Sequence, residues 1–206
     1  MNVTYHSIHG AIQESMHVYI QAGLIDSGIF DWIGIHSVLE VGFGTGLNAL
    51  LTLIEAEKQK TRIYYTAIEP YPLNEAEISQ LNYCEQLDLP DYQQRFERMH
   101  EIGWDEMFEI TENFRLTKTK TKLADYSTED VYNVIYFDAF APNAQPDLWT
   151  KEIFVKLYSM LTDDGILVTY CSKGDVKRAM EHAGFQIEKL KGPIRKREML
   201  RATKRQ

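Results

Sequence analysis

Two groups of residues have the types and spacing to do chemistry. The first is Glu40-Val41-Gly42-Phe43-Gly44-Thr45-Gly46, with glycines at alternate positions and a carboxylate two residues before the first of them. Glycines this close let backbone approach a ligand, and a turn that leads into a helix offers it unpaired N–H groups. A dinucleotide fingerprint would carry its third glycine where Leu47 stands. Glu40 suits a ligand bearing an ammonium and would repel a pyrophosphate. The second group is Asp138 within Tyr136-Phe137-Asp138-Ala139-Phe140-Ala141-Pro142. A carboxylate ending an apolar run can accept hydrogen bonds from an amine and hold it about 3 Å from an electrophilic carbon for in-line displacement. The amine must be neutral to attack, which a carboxylate acceptor favours. Phe140 and Pro142 offer flat apolar surface on which a planar substrate can stack.

Such residues need a scaffold, and the hydrophobic pattern supplies one. Residues 37–41 form a β-rich run that meets the glycine cluster, and a helix pattern follows over 47–59. Residues 63–68 read as a second strand, stopped by Glu69-Pro70. Strands are expected at 114–122 (with one exposed face), 131–137, 166–170, 185–190 and 198–202, and helices at 13–22 (ended near Gly23), 148–161 and 175–183. Residues 73–111 read as mostly helical, broken at Leu89-Pro90-Asp91, and Asp163-Asp164-Gly165 as a turn. Alternating strands and helices call for a parallel sheet covered on both faces. The last two strands are too close for a helical crossover and should pair as an antiparallel hairpin.

In open α/β sheets ligands bind beyond the carboxyl ends of the strands. Glu69, ending the second strand, can accept both hydroxyls of a ribose. Asp125, after the third, can accept an adenine amino group, with Tyr126 flanking the ring. Glycine spacing and Glu40 together narrow the ligand to S-adenosylmethionine (SAM), which has no pyrophosphate and a zwitterionic amino-acid end. No metal-like spacing accompanies these residues.

At 206 residues, 44% hydrophobic and 25% charged, the chain fits one globular domain, read as an N-terminal extension over 1–30 packed on a catalytic domain over 31–206. Two cysteines, Cys84 and Cys171, are too few for a disulfide framework and favour a reducing cytoplasm. No signal peptide and no apolar run of membrane-spanning length is apparent. The net charge of −8 argues against a general nucleic-acid binder, but it is unevenly spread. Residues 189–206 carry eight basic residues against Glu198 alone, a segment of +7 on a body of −15. An acidic body with a basic end can hold an anionic substrate at one place.

The glycine loop is similar to the first motif of class I methyltransferases, and four stretches resemble one family of them. Glu40 to Asn48 (EVGFGTGLN), Glu69 to Leu73 (EPYPL), Phe137 to Trp149 (FDAFAPNAQPDLW) and Gly192 to Leu200 (GPIRKREML) resemble the methyltransferase domain of the bifunctional bacterial tRNA enzyme MnmC and its stand-alone relatives. The opening Tyr5-His6-Ser7 to Gly10, with Glu14, looks like that family's first segment, although His6 and Ile12 depart from it.

The resemblance implies a Rossmann-like class I α/β fold with a mostly parallel seven-stranded sheet and a C-terminal antiparallel hairpin. It implies SAM contacts from Glu40, Gly42, Phe43, Gly44, Gly46, Asn48, Glu69, Pro70, Asp125, Tyr126 and Asp138, with Asp138 also catalytic. The implied reaction methylates the aminomethyl nitrogen of 5-aminomethyl-2-thiouridine at the tRNA wobble position. Phe140 and Pro142 would meet the base, and Arg195, Lys196 and Arg197 the anticodon phosphates. Larger members carry an FAD-dependent oxidase domain. This chain ends at Gln206 without a second glycine fingerprint. The aminomethyl form is therefore expected from another enzyme, or from a partner oxidase on a separate chain. Competing readings are a methyltransferase for a small molecule or protein, a nucleotide-binding module without transfer chemistry, and a scaffold that binds SAM without catalysis.

Overall fold

A computed structural model describes residues 5–31, 34–194 and 196–205. Eight strands form one sheet: β1 (Ile35–Val41), β2 (Arg62–Ile68), β3 (Met107–Thr111), β4 (Phe114–Thr119), β5 (Tyr132–Phe137), β6 (Leu161–Thr169), β7 (Gln186–Lys191) and β8 (Glu198–Thr203). Their spatial order is β3-β4-β2-β1-β5-β6-β8-β7. The pairs from β4 through β6 are parallel, while β8 runs antiparallel to both β6 and β7. This is the mixed sheet with a terminal hairpin that the sequence implies, with eight strands where seven were expected.

The additional strand is β3, which pairs antiparallel with β4 at the sheet edge through a register shift. It lies within the stretch read as helical. Its side chains are half-buried or exposed throughout, so neither a period of two nor an apolar run marks it. The helices of that stretch are also short: α3 (Glu75–Ile78) and α4 (Tyr83–Gln86) span four residues each, and only α5 (Gln93–Glu101) reaches nine; this numbering counts α1 (Tyr5–Ser15) and α2 (Leu47–Gln59) before them. A capping box starts α3, in which the Asn74 side chain accepts from Glu77 N and Glu77 Oε2 accepts from Asn74 N, both at 3.0 Å.

Strands β1 and β5 are central and largely buried; β5 is accordingly an almost continuous apolar run, whereas β1 carries His36, Ser37 and Glu40 among its apolar residues. Helix α2 is flanked by Gly46 and Lys60, both left-handed. Helices α6 (Lys151–Ser159) and α7 (Gly174–His182) pack with the second apolar cluster of the core, around Phe137, Phe154 and Leu167. The Asp163-Asp164-Gly165 turn proves to be an irregularity inside β6, where the pairing with β5 slips between Tyr132 and Val134.

The N-terminal segment differs most from expectation. Instead of a short helix over 13–22, α1 passes without a break into a π-helix, Met16–Ile25. Gly23 does not end it. A Cβ at Gly23 would lie 2.8 Å from Val168 Cγ2 and 3.2 Å from Tyr136 Cε1. The glycine is there so that the helix can lie against the sheet, and Val18, Tyr19, Ile20 and Leu24 join the core on that face. Replacing Gly23 by Ala should cost about 1–3 kcal/mol of stability by overpacking. Denaturant unfolding that matched the parent protein would show that the contact relaxes freely.

Candidate active site

The sheet register builds the site. Val41 pairs with Ile68 on one side and with Phe137 on the other. The next residues are therefore Glu69, Gly42 and Asp138, in a row beyond the carboxyl ends of three adjacent strands. Gly42 N donates to Ile68 O (2.9 Å) and Asp138 N to Val41 O (3.1 Å), which extends the ladder one residue past each strand. Chain connections leave β1 in opposite directions here, the switch point where open α/β sheets hold ligands.

A cavity of about 1320 Å³ opens at this row. Gly42, Phe43, Gly44, Asn48, Glu69, Pro70, Asp125, Asp138 and Phe140 line it, together with Lys196. Among the other residues singled out in the sequence, Glu40 lies beneath the floor, 1% exposed, and Gly46 turns toward Phe43 and His100 behind the loop. Tyr126 faces away, its hydroxyl 2.8 Å from that of Tyr132, and Leu123 and Ala124 take the wall instead. Pro142 and Arg197 are not in the wall. Arg195 lies outside the described residues.

The loop and its carboxylate are tied together. Glu69 Oε2 accepts from Gly44 N (3.0 Å) and Oε1 from Tyr71 N (2.8 Å). Each oxygen keeps a lone pair for a ligand hydroxyl. Behind the loop lies Lys118. The exposed face expected of this strand is occupied by Arg115, Thr117 and Thr119, whereas Lys118 points inward and is 1% exposed. Its Nζ donates to His100 O (2.9 Å) and lies 4.8 Å from the Trp104 ring centroid. Burial lowers its pKa to about 8, and burial together with this cation lowers that of His100 to about 4.

Asp138 is held from two sides. The Tyr19 hydroxyl donates to Oδ1 (2.7 Å) and Asn48 Nδ2 to Oδ2 (3.0 Å). The same Asn48 amide donates to Glu40 Oε1 (2.9 Å). Burial pushes the Asp138 carboxyl above the usual carboxylate range, against the pull of these two hydrogen bonds; Glu14 pushes it further up and Lys196 down. Glu40 is raised by burial too, against the Asn48 bond. Asn48 Oδ1 is a buried acceptor without a hydrogen-bond partner, whereas Glu40 Oε2 has the Tyr65 hydroxyl to pair with. A spare acceptor in the cavity wall beside a glycine loop fits the ammonium of an amino-acid moiety, which supplies the missing donor.

At the mouth, Phe140 is 73% exposed and Ile194 69%. Phe140 is fixed by its backbone: its N–H donates to Gln145 Oε1 (3.1 Å) and its carbonyl accepts from Trp149 Nε1 (2.9 Å). Lys196 Nζ reaches inward to Glu14 Oε1 (2.6 Å) and lies 3.9 Å from the centroid of Tyr170. Sequence reading missed Tyr19, Glu14 and Tyr170 as parts of this site. Glu14 and Tyr19 are five apart, a spacing that faces different ways on an α-helix; both reach the cavity where the wider π-helical turn begins. Among the described residues, no group of three or more His, Cys, Asp or Glu is placed to hold a metal ion, and no helix is long and apolar enough to cross a membrane.

Comparison with known proteins gives the arrangement a context. A family model described as S-adenosyl-L-methionine-dependent methyltransferase matches residues 79–205. The chain is 32% identical over 177 residues to the tRNA 5-methylaminomethyl-2-thiouridine biosynthesis bifunctional protein MnmC of Campylobacter fetus, covering 81% of this chain and 28% of that protein. It is 30% identical over 210 residues to the protein of the same name from Leptospira interrogans, covering 95% and 32%. This chain thus spans about a third of the length of these relatives. The fold is that of MNMC2 from Aquifex aeolicus, with a TM-score of 0.76 at 22% identity over 93% of this chain and 60% of that one. SAM-bound CalS10, an amino pentose methyltransferase from Micromonospora echinaspora, shares it more distantly, with a TM-score of 0.54 at 9% identity over 99% of each chain.

Proposed function

The chain belongs to the S-adenosyl-L-methionine-dependent methyltransferases, and on that premise we propose that it methylates the aminomethyl nitrogen of 5-aminomethyl-2-thiouridine at the wobble position of tRNA. The observation that carries the reading is Asp138, a carboxylate fixed by Tyr19 and Asn48 between the cofactor loop and an exposed aromatic rim. The names of the relatives support the choice of nucleoside.

Glu69 would hold the ribose hydroxyls of the cofactor, the Gly42–Gly46 loop its amino-acid end, and Asn48, backed by Glu40, its ammonium. Wall residues Leu123, Ala124 and Asp125 take the adenine. The cofactor supplies an electrophilic sulfonium methyl. Asp138 accepts hydrogen bonds from the acceptor amine and receives its proton, leaving the nitrogen lone pair free. A carboxylate raised above its usual range is the better acceptor for this. Phe140 and Ile194, exposed at the mouth, flank the uracil.

The basic C-terminus contributes less to RNA binding than its charge suggests. Lys189 pairs with Glu198 (2.8 Å), Arg201 with Glu188 (2.8 Å) and Arg205 with Asp164 (2.6 Å). Lys204 donates to Leu161 O (2.7 Å), so Lys191, Arg195 and Arg197, with Lys196 once it leaves Glu14, remain the candidates for phosphates, and affinity should fall with salt as for about four contacts rather than eight. The bifunctional relatives suggest a distinct oxidase activity as the source of the aminomethyl form. Nucleoside mass spectrometry tests the proposal, using tRNA enriched in aminomethyl-thiouridine with the protein and SAM. That nucleoside should gain one methyl; its recovery unchanged, while SAM binds normally, would refute the assignment.

A further inference from the structure

Beside Asp138 lies a group of side chains that the transfer chemistry leaves unused. The Lys196 ammonium sits 2.6 Å from Glu14 Oε1 and 3.9 Å from the centroid of the Tyr170 ring. A carboxylate and an aromatic face closing on one ammonium is how proteins recognise alkylammonium ligands. The fixed and movable parts are unequal. Tyr170 is anchored: its hydroxyl donates to Ala139 O (2.8 Å), and its ring packs edge-on against Trp149 at 6.3 Å. Glu14 stands on α1, next to the buried Ser15. Lys196, by contrast, hangs from the turn joining β7 and β8, its side chain 35% exposed. All three residues line the cavity that holds Asp138.

We propose that Glu14 and the face of Tyr170 form a subsite for the acceptor's primary ammonium, and that Lys196 is a built-in occupant which the acceptor displaces. The inference rests on the methyltransferase reading and deepens it. The reaction needs two things that conflict: capture of an amine that is a cation at neutral pH, and a neutral amine at attack. A separate carboxylate for capture resolves the conflict. Glu14 takes the ammonium, which then gives its proton to Asp138 as the nitrogen turns toward the methyl donor. A partly exposed ion pair is weak, so the incoming ligand can break the Glu14–Lys196 contact. The freed lysine then lies at the mouth, where it can meet a phosphate of a polymeric acceptor.

An internal occupant lowers apparent affinity by the fraction of time the subsite is blocked. The test uses the full chain with S-adenosylhomocysteine bound, and benzylammonium and benzyl alcohol as a charged and neutral pair of probes, with affinities read by NMR titration. Lys196→Met should bind benzylammonium about tenfold more tightly than the parent and benzyl alcohol equally. Glu14→Gln should abolish the preference for the ammonium and leave affinity for the alcohol and the homocysteine unchanged. If Lys196→Met binds benzylammonium no better, or Glu14→Gln keeps the preference, the subsite does not exist. Should Lys196→Met fail to fold, judged by its melting curve, Lys196→Ala carries the same expectation. Unmethylated tRNA together with the expected probe behaviour would sink the nucleoside assignment and leave the subsite standing; methylated tRNA without it would do the reverse.

Discussion

Asp138→Asn should lower methyl transfer by about 10²–10⁴-fold, the range for loss of a positioned proton acceptor. The substitution keeps the shape and the contact with Tyr19 but sets its amide against the Asn48 amide that donates to Oδ2, so the cavity survives with one hydrogen bond fewer while the nitrogen keeps its proton. Single-turnover methylation reads the loss, and calorimetry with SAM should show affinity within about tenfold of the parent. Activity within tenfold of the parent would remove Asp138 from the chemistry. The pH profile gives an independent reading. Activity requires the ionised carboxylate, and burial raises its pKa, so kcat/KM of the parent should fall, as pH drops, at a higher pH than an ordinary aspartate would give. The sign for stability is opposite. A carboxyl whose folded pKa lies above its unfolded value binds a proton more tightly in the folded state, so stability is lost as pH rises through the folded pKa. The stability of Asp138→Asn relative to the parent should therefore rise from acid to neutral pH, with the lost Asn48 bond lowering it at both ends, as expected where a site trades stability for function.

The parts of this site set by strand ends were legible in the sequence. Val41, Ile68 and Phe137 close apolar runs, so Gly42, Glu69 and Asp138 could be placed at the sheet's carboxyl edge before any coordinates. The parts set by packing between distant segments were not. Tyr19 meets Asp138 across 119 residues and Glu14 meets Lys196 across 182. The π-helical path that delivers Tyr19 carries no period a sequence reading looks for. Alternation in β4 implied one exposed face without saying which residues hold it. Lys118 lies on the other face, its stem packed inward and its ammonium against a carbonyl and two rings. The basic C-terminus misled by counting, since charge totals do not say that Glu188, Glu198 and Asp164 sit opposite those cations.

Gly42→Ala should damage fold and catalysis together, and Gly44→Ala should separate them. Gly42 has φ +97°, and a Cβ there would lie 2.8 Å from the carbonyl oxygen of Asp138. That neighbour is backbone in the sheet ladder and cannot swing aside as a side chain would. Backbone strain of about 1–3 kcal/mol adds to overpacking of similar size, so destabilisation of about 2–6 kcal/mol is expected by denaturant unfolding. Any relief must push Asp138 away from Tyr19 and Asn48, and methyl transfer should fall by more than SAM affinity does. Gly44 has φ +49°, where a Cβ meets no protein atom within 4 Å. Its open side belongs to a loop that lines the cavity, with its N–H tied to Glu69. Alanine there should cost about 1 kcal/mol for the left-handed backbone, yet weaken SAM binding by at least tenfold, since the methyl fills space the cofactor needs. Equal loss of stability in the two variants, with SAM affinity intact at Gly44→Ala, would mean that the loop is only a tight turn and that the cofactor lies elsewhere in the cavity.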